Sequence, residues 1–346
     1  MEILFICKGS VSEGLGHINR TIAVANAATN RFTIKIVFIG DKKLLPLFQN
    51  STCSYCCVND ERAAVLEVTS HKPQIVVFDM LTFDETNFQN LSQKIIFVSL
   101  SPIFNLLDKM ALFFHRTKYL PKKCLQTNFL TNCKVFAGLD YAVISKRCTR
   151  IAEEIYINVL KKPAFSIAIS MGGADAANKT LKIINRLRRF PKKLVIWVLL
   201  GEGYEHSYQQ LVDSMRGSSH EIILAKTNDS MWHILNMCSV AILAGGITTY
   251  EAAFAGLPSI NLLENSEHSY LIDELVELGV CYVADTDFPV ALDEMFEIIT
   301  NIENEREMLI NMRAMGMNII NDKGVECIVD KILEFARNHF EENRNH

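Results

Sequence analysis

The chain opens on a short apolar run, Ile3-Leu4-Phe5-Ile6-Cys7, which leads through Gly14-Leu15-Gly16 into a helix-forming segment that starts with His17. A buried strand passed into glycines and then into a helix start is the repeating unit of a parallel α/β sheet. The unit recurs. Ile3 to Cys7, Ile34 to Ile39, Ile75 to Phe78 and Ile95 to Ser99 read as strands separated by helix-length stretches. The pattern restarts after Lys161-Lys162-Pro163, with strands at Phe165 to Ser170, Leu194 to Leu200, Glu221 to Leu224, Val240 to Leu243 and Ser259 to Leu262. This spacing predicts a parallel α/β chain of two similar halves, 1–150 and 151–346, joined near residues 145–163 with a central cleft between them. The helical region from Asp287 to Phe340 is long enough to fold back towards the N-terminal domain.

Composition agrees with two cores: 346 residues at 49% hydrophobic content exceed what one ordinary domain needs. A formal net charge of -4 supplies no basic field for nucleic acid. The first residues lack the charged, apolar and small-residue regions of a secretory signal, so a cytoplasmic location is expected. No apolar run reaches the roughly 20 residues needed to span a bilayer. The ten cysteines are scattered, as reduced core thiols would be. Cys53 and Cys56 form one C-x-x-C followed by Cys57, but no second pair at zinc-ribbon spacing follows, and no metal is expected.

Ser101 to Cys133 breaks the alternation. Between Pro102 and Pro121 lie Ile103, Phe104, Leu106, Leu107, Met110, Leu112, Phe113 and Phe114, with Lys118, Lys122 and Lys123 close behind. Residues 103–123 could therefore bring an apolar and basic surface to a membrane face, or be buried in the core or against a partner subunit.

Four strand ends carry chemistry. Glycines after a strand let the backbone approach an anionic ligand, and the helix that follows offers unpaired N–H groups and the positive end of its dipole. The first loop holds Gly14, Gly16 and His17, but Asn19 occupies the place of the third glycine in a dinucleotide fingerprint, so His17 reads as a general base or as a helix-start histidine. Asp79, at the end of another strand, either faces the ligand crevice or caps the strand. In the second half, Met171-Gly172-Gly173-Ala174-Asp175 and Ala244-Gly245-Gly246-Ile247-Thr248-Thr249-Tyr250-Glu251 repeat the strand-to-glycine turn. Gly245 and Gly246 would admit phosphate oxygens, Thr248 and Thr249 would add hydroxyl donors, and Glu251 could accept from ribose hydroxyls. A tight turn with capping threonines uses the same residues. A Walker loop is excluded, because no Gly-Lys-Ser/Thr ending follows.

Taken with Gly138-Leu139-Asp140-Tyr141-Ala142, Ala255-Gly256-Leu257-Pro258 and Asp322-Lys323-Gly324-Val325-Glu326, these segments resemble the nucleotide-sugar hydrolases of pseudaminic acid biosynthesis. Those enzymes are related to the GT-B glycosyltransferases of the MurG type. The resemblance covers most of the chain outside Ser101 to Cys133. It implies a GT-B fold of two Rossmann-like domains facing a central cleft, with UDP held mainly by the C-terminal domain and the sugar reaching the N-terminal one. It also implies His17 as the catalytic histidine, with Gly172, Gly173, Asp175, Gly245, Gly246, Thr248, Thr249 and Glu251 as nucleotide-binding residues. Gly14, Gly16, Asn19, Asp79, Glu267 and His268 are candidates for substrate contact. One departure stands out: where the family commonly has an acidic-Asn-Gln segment, this chain has Glu264-Asn265-Ser266-Glu267-His268, and counting back from Gly279 sets His268 in the place of the glutamine.

The expected reaction is hydrolysis of a UDP-amino sugar by His-assisted attack of water, with no cofactor. Two alternatives use the same residues. One is a GT-B transferase in which His17 deprotonates an acceptor hydroxyl, favoured by a membrane-facing 103–123; the other is a sugar-nucleotide binding protein without turnover.

Overall fold

A computed structural model of the chain describes residues 1–10, 15–125, 132–201, 203–226 and 231–342. Contacts divide the chain into two units, one of Met1–Val143 with Asp322–His346, the other of Ile144–Asn321. The division expected from the sequence, 1–150 and 151–346, differs chiefly at the C-terminus. The helix Gly324–Glu342 buries Val325, Ile328, Val329, Ile332 and Ala336 in the core of the first unit. A face of that kind, at about 1.5–3 kcal/mol for each large aliphatic side chain, decides which sheet the segment joins.

The first unit is a seven-stranded parallel sheet of β1 (Glu2–Lys8), β2 (Thr33–Ile39), β3 (Ser54–Val58), β4 (Ile75–Asp79), β5 (Ile96–Ser99), β6 (Leu112–His115) and β7 (Lys134–Ala137). Its order is β3-β2-β1-β4-β5-β6-β7, with Cys7 of β1 in register with Asp79 of β4. Strand side chains alternate between faces, so Ile3, Phe5 and Cys7 enter one apolar core while Leu4 and Ile6 enter another. A sheet covered on both faces explains why its strands read as continuous apolar runs. The strand order reverses between β1 and β4, the position where open α/β sheets receive ligands.

The second unit repeats this plan with β8 (Phe165–Ser170), β9 (Leu194–Leu200), β10 (Glu221–Lys226), β11 (Val240–Leu243), β12 (Ser259–Asn261) and β13 (Cys281–Val283). All pairings are parallel, in the order β10-β9-β8-β11-β12-β13, and the reversal falls between β8 and β11.

The segment that broke the alternation contains β6, which pairs with both β5 and β7. Ile103, Leu106, Leu107, Met110, Leu112, Phe113 and Phe114 are all buried, and Phe104 packs half-buried against one of the cores. The apolar residues expected on a membrane-facing surface thus fill the first unit, and Lys118, Lys122 and Lys123 are exposed, with Lys118 over the Tyr119 ring and Lys123 over that of Phe104. Among the described residues, no helix is long and apolar enough to cross a membrane.

Candidate active site

The helix Gly16–Ala28 follows β1, and no side chain caps its start. Ile18, Thr21, Val24, Ala25 and Ala28 bury one face, and His17 and Arg20 stand three residues apart on a neighbouring one. That spacing brings both onto Asp79, the last residue of β4, which is wholly buried. The Nδ1 of His17 lies 2.7 Å from Asp79 Oδ1. Arg20 donates from Nε to Asp79 Oδ2 at 2.9 Å, and from Nη2 to Asp79 Oδ1 and to Ser101 Oγ. Ser101 Oγ in turn donates to Asp79 Oδ1 at 2.6 Å, and Thr21 Oγ1 donates to Oδ2 at 3.3 Å.

Burial alone would raise the Asp79 carboxyl, but the charges of Arg20 and His17, with their hydrogen bonds, outweigh it and hold the group far below the carboxylate range. Asp79 is therefore an ionised acceptor, and this fixes the proton on its partner. An unprotonated Nδ1 would set its lone pair against a carboxylate oxygen, so Nδ1 carries the hydrogen and donates it. Arg20 Nη2, 3.1 Å from the same Nδ1, is then a close neighbour and not its donor. In the neutral form of the ring the lone pair is then on Nε2, which has no hydrogen-bond partner among the described residues. At 21% exposure the imidazole is reachable from solvent. The arrangement can accept a proton at Nε2 while Asp79 stabilises the cation that forms.

In the second unit the two glycine loops leave adjacent strands, since β8 pairs with β11. Gly245 has φ +75°, and a Cβ there would run into the side chain of Leu263, so glycine is required twice over. Gly246 precedes the helix Ile247–Ala255, where Thr248 is half-buried at the second position and no side chain caps the first turn. The loop after β8 is braced. Asp175 accepts from the N–H groups of Lys179 (2.7 Å) and Thr180 (2.9 Å), its carbonyl lies 2.8 Å from His206 Nε2, and Gly203 N–H donates to the Gly173 carbonyl at 2.9 Å. Lys179 Nζ donates to the carbonyls of Leu262 (3.3 Å) and Leu263 (2.8 Å), tying this loop to the end of β12. Glu251 is buried and accepts from the Ser145 N–H at 3.2 Å; burial pushes its carboxyl up to about 7, with that hydrogen bond pulling the other way.

No protein-family model matches the chain. Its sequence is 24% identical over 327 residues to the uncharacterized protein MJ1062 of Methanocaldococcus jannaschii, covering 88% of this chain and 67% of that protein. It is 20% identical over 196 residues to the spore coat polysaccharide biosynthesis protein SpsG of Bacillus subtilis, 56% of each. Among solved structures, Acinetobacter baumannii MurG superposes with a TM-score of 0.64 at 12% identity, over 96% of this chain and 100% of that one. Anabaena Alr3699/HepE in complex with UDP gives 0.66 at 13% identity, again over 96% and 100%. The chain has the GT-B fold.

In this GT-B chain the candidate residues divide by what their side chains touch. His17 and Asp79 meet directly; Gly16 is exposed at the helix start, and Asn19 is exposed and takes no part in the bonds to Asp79. Gly14 lies outside the described residues. Gly172, Gly173, Gly245 and Gly246 line strand-end loops, as expected. Two candidates have a different role from the one expected: Asp175 caps the helix Lys179–Leu187, and Thr249 is buried with its hydroxyl on Asn261 Oδ1 at 2.6 Å, unable to serve as a second donor beside Thr248. Glu267 is exposed and His268 half-buried in the 3-10 helix Ser266–Leu271 after β12. Arg20 and Ser101 escaped the sequence reading. Arg20 carried a signal in its helical spacing from His17, whereas Ser101 lies two residues past the end of β5 and carried none.

Proposed function

We propose that the chain is a nucleotide-sugar hydrolase that releases UDP and a free amino sugar. The observation that carries this reading is the 2.7 Å contact of His17 Nδ1 with the ionised Asp79, which leaves Nε2 as a proton acceptor at a strand-end crevice. In the reaction Nε2 takes a proton from water as the water oxygen bonds to the anomeric carbon. The bond from that carbon to the β-phosphate oxygen breaks, and its electron pair leaves with UDP. The proton on Nε2 then passes to solvent. The N–H groups of the Gly172-Gly173 and Gly245-Gly246 loops, with the start of the helix Ile247–Ala255 and the Thr248 hydroxyl, stabilise the charge growing on the diphosphate. Glu251 keeps an oxygen for a ribose hydroxyl while its other oxygen holds the Ser145 N–H.

Several observations support a UDP-sugar substrate: the GT-B fold, the UDP bound to Anabaena HepE, the polysaccharide role in the name of the Bacillus relative, and the motif resemblance to hydrolases of pseudaminic acid biosynthesis. Burial of the 103–114 apolar series favours water over a membrane-associated acceptor, because it removes the surface that would have met one. The test offers purified protein a panel of UDP-amino sugars with no acceptor and follows UDP release in the native chain and in His17→Ala. Release that depends on His17 is expected. Release only when a glycan or lipid acceptor is added would assign a transferase, and UDP binding without release under either condition would assign a binding protein.

A further inference from the structure

We infer that Arg20 is a positioning residue that keeps His17 in its proton-accepting state by sharing the charge of Asp79. The inference deepens the proposed function and rests on it only for the rate measurement. A carboxylate beside a histidine favours the imidazolium, and a base that is already protonated cannot take a proton from water. Arg20 counters this in two ways. It engages both oxygens of Asp79, dividing the negative charge that the ring would otherwise face alone, and it places its own positive charge 3.1 Å from Nδ1. It also donates to Ser101 Oγ, whose hydroxyl donates to Asp79 Oδ1, so the three groups form one closed network around the carboxylate.

Among the described residues, the other groups that act on Asp79 or Arg20 leave this balance to that pair. Cys7, at the end of β1, is held as the neutral thiol by burial and by the charge of Asp79. His115, at the end of β6, is pushed down to about 3 by burial and by the charges of Arg116 and Arg20, so it too is uncharged. Ser101 and Thr21 contribute only hydroxyls. Glu13 lies outside the described residues.

The test titrates the His17 ring by NMR in the native chain, Arg20→Gln, Arg20→Lys and Asp79→Asn, and records kcat/KM against pH for each. With the arginine charge gone, Arg20→Gln is expected to raise the His17 titration midpoint by about one pH unit or more, and the acid limb of the rate profile should rise with it. Arg20→Lys keeps the charge and should leave the midpoint within about 0.3 unit of the native one, whereas Asp79→Asn should lower it. A purely structural role would reduce the rate without moving the midpoint. A shift of the NMR midpoint without movement of the acid limb would remove His17 as the base and still support the charge-sharing role. A midpoint that stays put in folded Arg20→Gln would overturn the inference. Should the glutamine variant fail to fold, a rise of a full unit in Arg20→Lys would overturn it equally.

Discussion

His17 gains its chemical meaning from the proton it holds on Nδ1, and Asp79 dictates that proton. Replacing His17 with alanine is expected to slow UDP release by about 10²- to 10⁴-fold with little change in KM, the usual contribution of a general base. Asp79→Asn should slow it comparably, because an amide can present N–H to Nδ1 and so stabilise the wrong tautomer; steady-state kinetics on both variants check this. Glu251 makes a separate prediction. Its carboxyl is raised on folding from an ordinary 4.5 to about 7, so the native state binds the proton more tightly than the unfolded state does. The stability it contributes is complete below the unfolded value and is lost as pH rises to about 7. Glu251→Gln can still accept from the Ser145 N–H, and it should remove this loss. Urea unfolding at pH 4.5 and pH 7.5 would then show a stability difference between the two chains that changes by about 3 kcal/mol in favour of the variant at the higher pH.

Among the elements, the strands with dense Val, Ile and Leu were readable from sequence almost to the residue: Phe165–Ser170, Leu194–Leu200 and Val240–Leu243 have the expected ends. Those missed had less signal. Ser54–Val58 is an edge strand with an exposed Tyr55 and no aliphatic run, Cys281–Val283 has three residues, and Lys134–Ala137 is only half-buried. Leu112–His115 was hidden for the opposite reason, since the buried residues from Ile103 to Met110 run into it and blur its start. The glycine loops were visible as positions, but their bracing was not, because it comes from residues distant in sequence, such as Gly203 on Gly173 and His206 on Asp175. That bracing is itself testable. A Cβ on Gly201 would come within 2.5 Å of the Gly173 carbonyl oxygen and 2.6 Å of its Cα, both backbone atoms that cannot swing aside. Gly201→Ala should therefore displace the first nucleotide loop and weaken UDP binding by about tenfold, equivalent to about 1.4 kcal/mol, as read by calorimetry.

The whole molecule comprises two parallel sheets of like order, with the chain's last helix returned to the unit that contains its beginning. That helix completes the core behind the His17 helix, with Ile328 and Ile332 among the residues packed there. Ile328→Ala is expected to destabilise the first unit by about 2–4 kcal/mol, seen as an earlier urea transition in a chain whose second unit unfolds as before. In the proposed reaction water, activated by His17, attacks the anomeric carbon of a UDP-sugar. The most direct measurement is a single turnover in ¹⁸O-labelled water without acceptor, with the released UDP analysed by mass spectrometry. Attack at carbon leaves the β-phosphate oxygens untouched, so the account predicts UDP release with no label in UDP and loss of that release in His17→Ala. Label in the β-phosphate, or no release until an acceptor is supplied, would contradict it.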